Sequence, residues 1–508
     1  MSPGASPFGD MDPEEFRRHA HQLTDWIANY LAHSSTYPVL AQVAPGAIAS
    51  ALPSEAPAHG ESFESMLADF EKILLPGITH WNHPGFFAYF AITGSAPGVL
   101  AEFLSAALNV QAMLWRTSPA ATELEEVTLS WLRQLLGLPS AFEGVIYDTA
   151  SISTLHALAA ARERTVPSVR SLGLAGRSAI SRMRVYCSDQ AHSSIDKAVI
   201  LLGLGQESLR KIPSDAEFRM RADALASAIA EDRAEGWLPL AVVATVGTTS
   251  STSVDPVAQI ADVCRPASIW LHVDAAYAGV AAMVPGYEWI LDGTAGADSI
   301  VVNPHKWMFT PFDLSVLYCR HMDLIRAAFA LTPEYLKTIE AAPVRNLMDT
   351  GIQLGRRFRA LKLWMVIRHF GADGIRARLA EHMRLARLFA SWVDASADFE
   401  RLAPVPFSVV CFRARPWLPP SGGSSIDGGS TIDGGSSIDG GSSIDPDVLN
   451  ERLLEAVNAT GEIFISHTRL NGRYTLRLAI GNLRTTETHV RRAWELLQQQ
   501  LSKVHRDG

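Results

Sequence analysis

Cysteine is scarce: Cys187, Cys264, Cys319 and Cys411 are the only four in 508 residues, and they form no CxxC pair. That spacing offers neither a zinc site nor a dithiol redox couple, and it fits reduced thiols in a cytosolic protein. Positive charge is also short, with 44 Lys and Arg against 53 Asp and Glu and a net charge of −9. No electrostatic footprint for nucleic acid or an anionic membrane follows from that balance. Uninterrupted apolar runs stay below membrane-helix length. Met1-Ser2-Pro3-Gly4 opens no basic-then-apolar leader. His80 and His83 lack a third ligand nearby in sequence, so no metal is expected. These absences predict a soluble, cytoplasmic protein without nucleic-acid, membrane or metal partners.

What is present is a globular composition, 47% hydrophobic and 19% charged, in a chain long enough for two or three domains. Asp12-Pro13-Glu14-Glu15 reads as an N-cap, a proline at the first helical position and acids in the first turn. Phe16, Leu23, Trp26, Ile27, Tyr30 and Leu31 follow at helical spacing and predict one broad apolar face. That face must bury against a partner subunit or the chain's own core. Pro38 to His59, rich in Pro, Ala and Ser, predicts an extended surface segment.

From about residue 96, short β-rich runs alternate with helical ones. Strands are expected at Leu240–Val246, Ser268–Val273, Ser299–Val302 and Ser315–Cys319, with a helix over Pro256–Cys264. The alternation predicts an α/β fold whose mainly parallel sheet is covered by helices on both faces. Leu361–Phe370 reads as a helix stopped by Gly371. Beyond it a smaller α+β region is expected, with strands near Phe407–Phe412 and Tyr474–Ala479 and a closing helix over Glu487–Leu501. The predicted units are an N-terminal helical segment (1–95), a large domain (96–371) and a small domain (372–508). Four tandem hexapeptides of the GGSSID type fill 422–445. Their six-residue period does not match the nine-residue calcium-binding roll, so a flexible loop is predicted.

Chemistry concentrates at predicted strand ends, where ligands bind in such sheets. Lys306 follows Ser299–Val302 inside Asn303-Pro304-His305-Lys306-Trp307. A desolvated lysine loses its proton readily, and a neutral amine forms a Schiff base with an aldehyde. Asp274 ends a second strand and could serve a metal, a ribose, a helix end or a pyridine nitrogen. Ala275 and Ala276 leave room there for a flat ligand. Lysine and aspartate together meet the two main requirements of pyridoxal phosphate. His192 follows Arg184–Cys187, and either packs or caps locally or stacks on a planar cofactor. Thr149-Ala150-Ser151-Ile152-Ser153 opens a helix, as a plain N-cap or as a phosphate site. Gly203-Leu204-Gly205 fails as a dinucleotide fingerprint because it follows a helix and lacks the third glycine.

With these segments assembled, the chain resembles the group II pyridoxal-phosphate-dependent decarboxylases, and among them the aromatic L-amino-acid decarboxylases. The similar runs extend from about residue 12 to 495, leaving out the hexapeptides. They include Thr79-His80-Trp81, Phe86-Phe87-Ala88-Tyr89-Phe90, Ser118 to Glu125, Gly247-Thr248-Thr249, His272 to Gly279, Asn303 to Trp307 and Leu354 to Arg359. Trp307 after the lysine is typical of the aromatic branch. The resemblance implies fold-type I architecture and a homodimer with sites at the subunit interface, clasped by the N-terminal segment. It assigns Lys306 to the Schiff base, Asp274 to the pyridinium and His192 to the cofactor face. Thr245 falls beside the ring, and Ala150, Ser151, Asn303 and His305 fall on the phosphate side. Trp81, Tyr89, Phe90, Gln111 and Met113 match substrate-pocket positions. Tyr335 matches the mobile-loop tyrosine that returns a proton to the α-carbon after carbon dioxide leaves.

Decarboxylation of an aromatic L-amino acid to its arylalkylamine is therefore expected. Two alternatives stay open: an oxygen-consuming aldehyde synthase, which relatives with phenylalanine at the Tyr335 position tend to be, and a cofactor-binding protein without turnover. The chain departs from the resemblance at Asp148, an acid beside the phosphate that repels it unless its side chain points away. Gln111 and Met113 also depart, standing where animal relatives often carry apolar and aromatic residues.

Overall fold

The computed structural model describes residues 9–331, 344–416 and 444–507. Its larger sheet has seven strands, in spatial order Glu143–Tyr147, Ser315–Cys319, Ser299–Val302, Trp270–Asp274, Leu238–Thr245, Met183–Ser188 and Leu209–Ile212. The Ser315–Cys319 strand runs antiparallel to both neighbours, and every other pairing is parallel. The inner strands Trp270–Asp274, Ser299–Val302 and Ser315–Cys319 are buried at every residue. Their sequences accordingly read as continuous apolar runs rather than alternating ones, as a sheet covered on both faces requires. The helix Ala150–Thr165 is buried on nearly all sides, and its run Ala157–Ala161 lets it lie close to the strands.

Register aligns the strand ends. Thr245 pairs with Asp274, and Asp274 with Val301. Beyond the ends the backbone stays stitched: Val246 N–H donates to the Asp274 carbonyl at 2.8 Å and Asn303 N–H to the Ala276 carbonyl at 3.1 Å. Thr245, Asp274 and the Asn303–Trp307 segment therefore emerge on one edge of the sheet, at its carboxyl ends.

A second sheet joins Phe86–Phe87, Phe464–Leu470, Arg473–Ala479, Val409–Ala414 and Phe399–Arg401 in that order. Phe86–Phe87 pairs parallel to Phe464–Leu470, so the first 95 residues contribute a strand to the C-terminal sheet and are not purely helical. A two-residue strand carries too little pattern for periodicity to find. Ala360–Ala395 is two helices that meet at Gly371, where φ is +64°. The Pro38–His59 segment is not extended throughout, since Ala47–Ala51 forms a short helix behind Gly46. At the N-terminus, Asp12 caps Pro13–His33 by accepting from Glu14 and Glu15 N–H. Trp26 of that helix meets Phe70 edge-on, while Phe16 is exposed. No helix among the described residues is long and apolar enough to cross a membrane.

Candidate active site

Asn303 ends the Ser299–Val302 strand and caps a one-turn helix, Pro304–Trp307, which begins with proline. Lys306 sits in that turn, its N–H bonded to the Asn303 carbonyl at 2.9 Å. Its side chain reaches a cavity of about 170 Å³ whose wall also carries Asp274, His192, Thr245, Ala150, Ser151, Asn303, His305 and Phe90. The Lys306 Nζ lies 5.3 Å from the Phe90 ring centroid. Burial pushes the lysine pKa down, and the Asp274 carboxylate opposes that push. The balance favours a neutral amine more than at the protein surface, which is what carbonyl attack needs.

Asp274 is buried, and one carboxylate oxygen accepts from Ala276 N–H at 3.1 Å. Burial also holds the His192 imidazole below its ordinary value, with Asp274 opposing and Lys306 reinforcing. His192 Nδ1 accepts from Ser194 N–H at 3.1 Å, so the neutral ring carries its proton on Nε2.

The far side of the cavity suits an anion. The helix Ala150–Thr165 starts there behind Thr149 with no side-chain cap on its first N–H groups, leaving donors and a positive dipole end for a phosphate. Asp148 points back into its own loop: its Oδ1 accepts from Thr149 N at 2.6 Å and Thr149 Oγ1 at 3.2 Å. Asp148 itself does not line the cavity. His305 Nδ1 accepts from Leu314 N–H at 2.9 Å, so its proton sits on Nε2, facing the Asn303 amide 3.4 Å away. Two donors cannot face each other, so the Asn303 oxygen belongs on that side. Its NH₂ then occupies the buried position that has no partner, and Thr245 Oγ1 is likewise buried and unpaired. Buried polar groups are normally satisfied. Two left open on one cavity wall, beside a lysine and a carboxylate, fit a bound pyridoxal phosphate.

Of the residues expected on the substrate side, Phe90 alone lines this cavity. It stacks on Tyr277, centroids 3.9 Å apart, and Tyr277 stacks on Trp307 at 4.9 Å. Trp81 and Tyr89 stack on each other next door, at 5.9 Å. Gln111 and Met113 lie elsewhere in this chain: Gln111 accepts from Arg356 N–H at 2.6 Å, and Met113 packs with Leu114 and Met348. Tyr335 and most of the hexapeptide run lie outside the described residues.

Thr149, from the run read as an N-cap or a phosphate site, also lines the wall, as do Gly247, Thr249 and Tyr277, for which the sequence offered no individual role. Arg477 is a further surprise. It is buried, sits 5.1 Å from the Phe90 centroid, and donates to the carbonyls of Ser250 and Tyr89. Only a strand-like run surrounds it in sequence, so nothing there separates it from a surface arginine. Among the described residues no cluster of three or more metal-ligating side chains occurs.

A family model described as the pyridoxal-dependent decarboxylase conserved domain matches residues 45–415. The chain is 39% identical to a phenylacetaldehyde synthase of Arabidopsis thaliana, over 97% of each protein. It is equally identical to tyrosine decarboxylase 2 of Narcissus pseudonarcissus, over 96% of this chain and 94% of that protein. Its structure superposes on Catharanthus roseus tryptophan decarboxylase in complex with L-tryptophan with a TM-score of 0.87 and 35% identity, covering 98% of this chain and all of the other.

Proposed function

The chain belongs to the pyridoxal-dependent decarboxylases, and from that premise we propose that it converts an aromatic L-amino acid to its arylalkylamine and carbon dioxide. The fold is the fold-type I α/β architecture, and the cofactor is pyridoxal 5′-phosphate. One observation carries the proposal: Lys306, Asp274 and His192 share one cavity with a phosphate-suited helix start and two unpaired polar groups. The aromatic substrate is supported by relatives and a structural neighbour named for tyrosine and tryptophan, and by the aromatic residues Phe90, Tyr277, Trp81 and Tyr89 in and beside the cavity.

When bound, the cofactor supplies a protonated pyridine ring that accepts the electron pair left by departing carbon dioxide. Lys306 would hold it by its aldehyde, and the free amine would afterwards be available for release of product. Asp274 would keep a proton on the pyridine nitrogen by Coulomb attraction in a poorly solvated site. His192, with its proton on Nε2, would cover the cofactor and orient the substrate carboxylate. The Ala150 and Ser151 N–H groups and the Asn303 NH₂ would bind phosphate oxygens. Tyr335 would deliver the proton to the substrate α-carbon.

The working form we propose is a homodimer. Leu100, Phe103, Leu104 and Leu108 leave one face of the helix Ala96–Leu108 exposed, a patch of the kind subunit contacts cover. A second copy would bring Gln111 and Met113 toward the neighbouring cavity.

The phenylacetaldehyde synthase relative gives a second reading some weight: oxidative decarboxylation and deamination to the aldehyde. A panel of L-tryptophan, L-tyrosine, L-phenylalanine, L-glutamate and L-alanine, assayed for carbon dioxide, amine, oxygen and peroxide, tests both. We expect amine equimolar with carbon dioxide from aromatic members and no oxygen uptake. Aldehyde with equimolar peroxide would establish the second reading, and turnover confined to L-glutamate would refute the aromatic one.

A further inference from the structure

The residue after the cofactor lysine begins a buried polar chain that the chemistry above does not use. Trp307 Nε1–H donates to His382 Nδ1 at 3.0 Å. His382 Nε2 lies 3.1 Å from the Asn482 carbonyl. The Asn482 amide donates to the carbonyls of Trp81 and His83 at 3.0 and 2.9 Å. An indole nitrogen only donates. His382 Nδ1 must therefore be the acceptor, and its proton must sit on Nε2, where it donates to Asn482. Asn482 Oδ1 is satisfied as well, by Arg484 N–H at 2.8 Å. Trp307, His382 and Asn482 are all buried, and the Trp307 and His382 rings lie within 11° of parallel.

A leucine at position 382 would fill this space but leave the buried Trp307 indole N–H and the Asn482 carbonyl without partners. Buried polar chains are favourable only when every member is paired, and they then specify one arrangement of the parts they join. Here the parts are the turn that carries Lys306, the second helix of Ala360–Ala395, the turn after the Arg473–Ala479 strand, and the loop that carries Trp81. The chain's two ends thus lie next to the cofactor lysine and at an aromatic residue assigned to the substrate side.

We propose that His382 is a positioning residue of the decarboxylation site, holding the Lys306 turn through Trp307 and the Trp81 loop through Asn482. The substrate half of this role rests on the aromatic decarboxylase reading; the Lys306 half rests only on cofactor capture. His382 touches neither group itself.

The test uses His382→Phe, which keeps a ring and removes both nitrogens, His382→Gln, which keeps one acceptor and one donor, and Trp307→Phe, which removes the indole N–H. In each holoenzyme, kcat and KM for an aromatic substrate are measured. So are the apoenzyme's rate of pyridoxal phosphate capture, by its visible band, and, in the variants that keep Trp307, the hydrogen exchange of its indole. His382→Phe should lower kcat/KM about tenfold or more, because ångström-scale misplacement is costly in catalysis. It should also raise KM, slow capture and expose the indole to exchange. His382→Gln should recover most of each loss, and Trp307→Phe should reproduce the kcat loss and the slow capture with His382 intact. The double variant His382→Phe/Trp307→Phe should have a kcat no lower than the worse single variant. Wild-type capture and kinetics in Trp307→Phe, or equal values in His382→Phe and His382→Gln, would overturn the proposal. If His382→Phe does not fold, the Trp307→Phe arm decides alone. If no aromatic amino acid is turned over by the wild type, the function fails while the capture arm still judges His382.

Discussion

Thr245 and Asp274 stand directly opposite each other at the ends of neighbouring parallel strands. That register places an unpaired hydroxyl and a buried carboxylate on the same edge of the sheet as Lys306. The site is thus a consequence of strand alignment, and its electrostatics follow from the shared burial.

Asp274→Asn removes the charge that opposes desolvation of Lys306 and of His192. Both groups should lose their protons at lower pH than in the wild type, because the carboxylate raises each pKa. Turnover should fall by about 10²-fold or more, the scale of a lost electrostatic stabiliser, with cofactor still captured. Lysine modification of the apoenzyme as a function of pH, alongside steady-state rates, checks both. An unchanged Lys306 titration would contradict the coupling.

Asp148→Ala should weaken cofactor binding. The carboxylate organises the Thr149 loop at the helix start by accepting from its N–H and hydroxyl. Were it instead repelling the phosphate, its removal would tighten binding. Dissociation constants for pyridoxal phosphate separate the two, and Asp148→Asn, which keeps an acceptor, should stay close to wild type.

Five histidines, His83, His156, His272, His305 and His382, are pushed down by burial to about 4, 3, 4, 3 and 4. Unfolded, they titrate near the ordinary histidine value, so below it the unfolded chain binds more protons and stability falls with pH. Asp255 acts oppositely, since burial raises its carboxyl to about 7 and it carries a native proton that unfolding releases below that pH. At pH 5 unfolding should therefore take up about four protons net from these six groups. The unfolding midpoint should drop between pH 6.5 and about 3, where the last of the native histidines takes up its proton, and flatten below. A midpoint flat across that window would contradict the neutral, buried assignments.

Arg477 is a buried cation that donates to backbone carbonyls under Phe90. Arg477→Met keeps much of its volume but leaves the Ser250 and Tyr89 carbonyls without those bonds, at a cost of about 1–3 kcal/mol. Stability should fall by that order, and KM for an aromatic substrate should rise as Phe90 loses its support. Denaturant titration with steady-state kinetics tests it. Wild-type values for both would show that Phe90 is held by Tyr277 alone.

Much of this site was legible in the residues because its parts lie at strand ends. Ser299–Val302 and Trp270–Asp274 are buried on both faces and mostly apolar, so Lys306 and Asp274 stand out as the charged residues that follow or end them. The alternation of such runs with helices likewise announced the parallel sheet. Less visible were features that depend on tertiary pairing. Phe86–Phe87 is a strand only because Phe464 and Ile465 lie beside it. The direction of Asp148 is set by a loop hydrogen bond. Arg477 is distinguished only by its burial, and Gln111 sits apart from the cavity because its side chain is held by the Arg356 backbone, as Met113 is by Leu114 and Met348.

Reductive trapping of the holoenzyme tests the central claim most directly. Borohydride treatment, digestion and mass spectrometry locate the lysine that carries the cofactor. The site described here predicts a reduced pyridoxyl phosphate adduct on Lys306 and none in Lys306→Ala. An adduct on any other lysine, or a visible band that survives in Lys306→Ala, would contradict it.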